Sequence, residues 1–166
     1  VRTLALFALL QLCLPAQHKQ HKHEHGKAEL AIAVDGLQLE AELEAPAESI
    51  LGFEHLPRTA DEKRKQEAAF ARLRNQAGSL ILLPAAFGCV FQAGDVHTHD
   101  DPNSGHRDVH ATFRAVCKQP PKQGEVRFAF SKHFPALKEL AVQLVAEQHQ
   151  TAAKIVNDQG SLRLGP

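Results

Sequence analysis

The chain has 166 residues, 43% of them hydrophobic and 23% charged, with 19 basic against 19 acidic side chains and no formal net charge. That length and composition suit one globular domain with a core of its own. Balanced charge leaves no electrostatic footprint for nucleic acid or an anionic membrane surface, so neither is expected as a partner.

In chain order, residues 1–16 read as a secretory signal peptide. Arg2 is the positive n-region, 4–14 the apolar h-region, and Ala16 the small residue before cleavage. The apolar run is too short to span a bilayer, so no stable membrane anchor is expected. Cleavage removes Cys13 and leaves Cys89 and Cys117. In an oxidising compartment such a pair reads as a disulfide; a metal site built on the two thiolates is the weaker alternative, since neither sits in a CxxC. Residues 17–27 form a polar, mobile arm with no hydrophobic periodicity, carrying His18, His21, His23 and His25.

Residues 28–166 read as a single α+β domain, mainly antiparallel sheet with one well-defined helix. Leu30, Ile32 and Val34 alternate with polar residues, and Leu37, Leu39, Ala41 and Leu43 do so again after Asp35-Gly36, which predicts a hairpin. Pro46 and Gly52 punctuate a loop holding Glu54 and His55. Thr59 and Glu62 form a capping box that opens a helix over about 60–76, with Ala69, Phe70, Leu73 and Ala77 on its apolar face. After a short apolar run at 80–83 comes a long hairpin. Phe87, Cys89 and Phe91 share one face of its first strand, and Ala111, Phe113, Ala115 and Cys117 one face of its second. Placing Cys89 opposite Cys117 sets Phe91 opposite Ala115, a self-consistent register. It leaves 95–108 as a His-rich tip with His97, His99 and His106, and His110 on the outer face of the return strand. Further strands are expected at 126–130, 140–145, 152–156 and 162–164.

Histidine occurs 11 times and Met never. Neutral imidazole is the commonest protein ligand for divalent transition metals, and two His clusters outside the cytoplasm point to metal handling. Zinc suits these donors best; Ni²⁺ or Cu²⁺ can take the same imidazoles, whereas Ca²⁺ and Mg²⁺ prefer oxygen. The tip His97, His99 and His106, with His110, lie among Asp95, Asp100, Asp101 and Asp108 and are the better-fenced site. The arm histidines would have to bend together at a cost in ordering entropy. His55, beside Glu54, is an additional candidate ligand; His133 and His149 stand alone. Neither H-E-x-x-H nor G-x-S-x-G nor a P-loop occurs, so no catalytic residue is expected.

The pattern resembles the periplasmic ZrgA-like zinc-uptake proteins of Gram-negative bacteria. The resemblance runs through most of the mature chain. It rests on His23-Glu24-His25-Gly26, the Asp35-Gly36 hairpin ending in Leu43-Glu44-Ala45-Pro46, and Gly52-Phe53-Glu54-His55 before the helix. Gly88-Cys89, a His-rich insert, a strand ending at Cys117, Phe134-Pro135-Ala136-Leu137 and Val142-Gln143-Leu144 complete it. It implies a periplasmic zinc-binding accessory that captures or buffers zinc for a high-affinity ABC importer, with that importer's periplasmic component as partner. The insert here is shorter than the family's longer His-Asp runs. A zinc-dependent hydrolase with Glu54 as general base, and a structural envelope module with incidental histidines, are the alternatives.

Overall fold

The computed structural model describes residues 24–100, 106–147 and 149–165. The signal peptide and His18, His21 and His23 of the arm therefore lie outside the described residues. The end of the arm does not: Glu24 to Gly26 lead directly into the first strand, which begins at Lys27.

In chain order the elements are β1 (Lys27–Asp35), β2 (Gln38–Pro46), α1 (Ala47–Leu51), α2 (Ala60–Asn75), β3 (Ile81–Leu82), β4 (Val90–Gln92), β5 (Val96–Asp100) and β6 (Arg107–Val116). Then come β7 (Glu125–Phe128), α3 (Phe130–His133), β8 (Glu139–Ala146), β9 (His149–Val156) and β10 (Ser161–Arg163). The larger sheet runs β4-β6-β2-β1-β8-β9, with β5 also on β6; the smaller runs β10-β7-β3. Every pairing in both is antiparallel except β1 with β8.

Period-two alternation builds the larger sheet. Leu30, Ile32, Leu39, Ala41, Leu43, Phe113, Val142 and Leu144 turn to one buried face. Against it pack Leu73 of α2, Ile81, Val126 and Phe128 of the smaller sheet, and Phe130 of α3. The Phe113 and Phe130 rings meet edge to face at 6.4 Å across this core. The outer face carries Glu29, Glu40, Glu42 and Glu44.

Three expectations change. The first hairpin closes with Asp35 opposite Gln38, so its loop is Gly36-Leu37 rather than Asp35-Gly36, with Gly36 at φ 55°. Glycine with positive φ at the first of two loop positions is the II′ arrangement, and it takes Leu37 off the inner face into solvent. The segment after Pro46, read as loop, is the short helix α1, ended by Gly52 in the left-handed region. The strand expected over 126–130 stops at Phe128, because Phe130 opens α3, whose first amides donate to both carboxylate oxygens of Asp158 at 2.8 Å. The capping box stands as read: Glu62 N–H donates to Thr59 Oγ1 at 3.1 Å, and Glu62 Oε2 accepts from Thr59 N–H at 2.9 Å. The hydrogen bonds its carboxylate accepts from the backbone N–H groups of Thr59 and Arg58 hold the Glu62 carboxyl below its ordinary pKa.

Cys89 and Cys117 are bonded, 28 residues apart in sequence. Replacing both by Ser is expected to destabilise the domain by about 3–4 kcal/mol, the entropy of closing such a loop in the unfolded chain. Urea unfolding measures it, and an intact mass showing two free thiols in exported protein would contradict the bond.

Candidate metal site

The edge hairpin decides where the histidines go. β4 lies on β6 with Phe91 opposite Ala115 and Gln92 opposite Arg114, the register in line with the disulfide. Further along, β5 lies on the same strand with Val96 opposite Ala111, His97 opposite His110 and His99 opposite Asp108. Between them Ala93, Gly94 and Asp95 face only Thr112 and Phe113, so the strand carries a one-residue bulge. The bulge reverses the faces. In the unbroken register His97 and His99 would point inward with Cys89 and Phe91. With it, Val96 is buried and both histidines face out beside His110.

Gly94 permits this. A Cβ there would overlap the Thr112 carbonyl, and the Gly94 N–H donates to the Arg74 carbonyl in the last turn of α2 at 2.9 Å. The Thr112 N–H donates to the Asp95 carbonyl, also at 2.9 Å. The ladder then continues through most of the segment expected as a loop, up to Asp100 opposite Arg107. Polar composition suggested a loop at 95–108, but an edge ladder is held by backbone hydrogen bonds and the inward Val96 and Val109. Buried Arg107 closes it, donating from Nε to Asp100 Oδ1 at 2.6 Å and from Nη2 to Oδ2 at 3.4 Å. The Arg107 hydrogen bond holds the Asp100 carboxyl below its ordinary pKa. The Asp100 carboxylate therefore stays ionised to lower pH than an ordinary carboxyl.

His97, His99 and His110 form a group. The His97 and His110 rings stack at 5.5 Å and 8°, and His99 meets His110 edge-on at 6.1 Å. Rings on one tetrahedral zinc stand about 5 Å apart, given a Zn–N bond of about 2 Å. Asp95 Oδ2 is 3.3 Å from His97 Nδ1. Among the described residues, no group of three or more His, Cys, Asp or Glu stands already arranged to hold a metal ion; the parallel rings of His97 and His110 aim past a common point and have to turn. The row continues across the sheet, with Glu44 opposite His110 and Glu29 opposite Glu44. Glu29, Glu44, Asp108 and Glu139 line a cleft of about 220 Å³, answered by Lys27 and Lys154. A carboxylate-rich cleft raises the local concentration of cations.

His106 leaves this group. Its Nδ1 lies 3.2 Å from Glu54 Oε2. The other Glu54 oxygen is 3.3 Å from Nε2 of His25, whose Nδ1 is 3.5 Å from Glu48 Oε2. His55 turns to the head of α2, with Nδ1 2.8 Å from the Leu56 carbonyl and Nε2 3.6 Å from Glu62, its ring stacked on Phe53 at 5.3 Å. So the fold gathers His97, His99 and His110, sends His25 and His106 to a second place, and sets His55 at a third. Glu48 carried no sequence signal, since its segment read as a loop. Glu54 was legible as a neighbour of His55 and as the general base of the alternative hydrolase reading, not as a partner of His25 and His106.

The fold thus presents a β-rich domain whose edge collects imidazoles beside carboxylates. Residues 22–164 match the family model for ZrgA family zinc uptake proteins, and the chain belongs to that family. It is a family of zinc uptake, not of enzymes. No curated protein matches the chain. No helix among the described residues is long and apolar enough to cross a membrane.

Gly94→Ala is expected to destabilise the domain by about 1–3 kcal/mol, because the added methyl meets backbone. Thermal unfolding measures it. If stability is unchanged, the close approach to Thr112 is not a constraint.

Proposed function

We propose that this protein is a periplasmic zinc-binding accessory that captures or buffers zinc and passes it toward high-affinity uptake. The observation that carries the reading is the gathering of His97, His99 and His110 on one outward face by strand pairing. Zinc is cargo here. Imidazoles on the outer face, two of them on an edge strand, suit exchange: they bind without a buried cage and release without unfolding the core. The signal peptide read at 1–16 supports export, and the arm histidines His18, His21 and His23 add donors near the same domain. Zinc suits imidazole with carboxylate better than the oxygen-seeking cations do; Ni²⁺ and Cu²⁺ compete for the same nitrogens. The periplasmic component of a zinc ABC importer is the partner that fits a chain handling zinc outside the membrane.

The combined variant H97A/H99A/H110A is expected to lose one zinc equivalent in calorimetry on the mature protein while its melting temperature without metal is unchanged. Retention of every equivalent would remove the hairpin face from the reading. Zinc binding is also expected to weaken steeply between about pH 7 and pH 5.5, because protons compete for imidazole nitrogens with unperturbed pKa near 6.5. The sign follows from ligation by the neutral ring: each imidazole protonated as pH falls is a donor lost. Calorimetry at stepped pH tests this, and a flat profile would assign the binding to carboxylates.

A further inference from the structure

We infer that His25, Glu48, Glu54 and His106 form a second divalent-cation site of the zinc class, distinct from the hairpin face. It joins four parts of the chain: the residues before β1, helix α1, the loop after it, and the start of β6. The two contacts to Glu54 have the donor spacing of a coordination shell, and Glu48 lies against the other nitrogen of the His25 ring. Donor atoms on one tetrahedral zinc lie about 3.3 Å apart, from metal–ligand bonds of about 2.0–2.1 Å. Here His25 Nε2 to Glu54 Oε1 is 3.3 Å, His106 Nδ1 to Glu54 Oε2 is 3.2 Å, and His25 Nδ1 to Glu48 Oε2 is 3.5 Å.

Proton inventory makes the same point. Glu54 Oε1 and Glu48 Oε2 are both buried and accept no hydrogen bond, and both face the His25 ring. A neutral imidazole has one N–H, so it can donate to only one of two carboxylates set against its two nitrogens. The other contact brings a ring lone pair against a carboxylate oxygen. As metal ligands, which bind through the neutral ring, two imidazoles with two carboxylates carry charge −2, which a divalent cation balances. Desolvated carboxylate oxygens without such a partner are costly.

The backbone beneath the ligands is anchored. Buried Ser49 accepts from Gly26 N–H at 3.0 Å and donates to the Lys27 carbonyl at 3.3 Å, fixing the chain beside His25 against α1. The Gly26 carbonyl accepts from the N–H groups of Lys138 and Glu139 at 2.7 and 3.0 Å, which ties the same point to β8. His106 immediately precedes β6, which is paired on both sides. What remains movable is the half-exposed His25 side chain. Its ring has to rotate so that one nitrogen joins Glu48, Glu54 and His106 around a single ion, because as they stand the contacts are pairwise. Zinc bound there would pin the start of the domain to the loop end of the edge hairpin.

The test uses the full mature chain with His18, His21 and His23 changed to Gln, so that the arm does not mask the count. Zinc is titrated against a chromophoric chelator, and melting curves are recorded with and without zinc. In that background two equivalents are expected. Glu54→Gln, which keeps the shape and removes the charge, should weaken one of them by at least the roughly 10–100-fold that even a supporting residue costs. It should also abolish most of the zinc-induced rise in melting temperature. His106→Asn should do the same, while H97A/H99A/H110A should remove the other equivalent and leave that rise in place. If E54Q and H106N both keep the full count, affinity and thermal shift, this site is overturned, whatever the hairpin variant does. If instead the hairpin variant alone leaves binding intact, only the role proposed for that face fails.

Discussion

A single extra residue in the edge strand governs the candidate chemistry. Side chains on a strand alternate with period two, so a shift of one residue moves every side chain beyond it to the opposite face. The bulge at Ala93, Gly94 and Asp95 applies that shift between the disulfide and the histidines. Below it Cys89 and Phe91 face the core, as a strand anchored by a disulfide must. Above it Val96 takes over the inward role, and His97 and His99 turn out to meet His110. One edge segment therefore contributes to the core at Cys89, Phe91 and Val96 and presents candidate ligands outward at His97 and His99. Gly94 is where the two are reconciled, because backbone approaches backbone there and no side chain fits.

The rest of the larger sheet gives that edge something rigid to stand on. β6 is held between the hairpin and β2, and β2 between β6 and β1. Their inward residues are almost wholly buried. The outward side is rich in carboxylates, among them the directly opposed Glu29 and Glu44. Like charges set opposite one another disfavour folding in a simple sheet. Here the carboxylates run from the cleft they share with Lys27 and Lys154 to Glu44, opposite His110. The core and the candidate ligands lie on opposite faces of one sheet.

Local chemistry and alternation made much of this legible. Thr59 and Glu62 mark the start of α2 because a capping box involves only neighbouring residues. Leu30, Ile32, Val34, Leu39, Ala41 and Leu43 mark two strands because burial of one face imposes period two. The pairing of Phe91 with Ala115 followed from keeping Cys89 and Cys117 on one face, and the structure has it. The family, too, was visible in motifs spread along the chain, and the match over residues 22–164 bears that out. Helix α1 was not legible: at five residues it is too short for helical periodicity to register, and Pro46 and Gly52 at its ends look like loop punctuation.

The amino-acid sequence by itself determined which residue types were present to bind metal, the α+β class, the capped helix and the register of the disulfide end of the hairpin. These depend on composition or on neighbours within a few residues. Only the tertiary structure decided how the histidines are shared out. His106 is close in sequence to His99 and His110, yet it meets Glu54, 52 residues away, and through that carboxylate His25. His97 meets His110 because a bulge, invisible to alternation, resets the register between them. A ligand set is a matter of which side chains share a point in space. The face of a strand and the path of a loop decide that, and each is set by packing contacts far away in the chain.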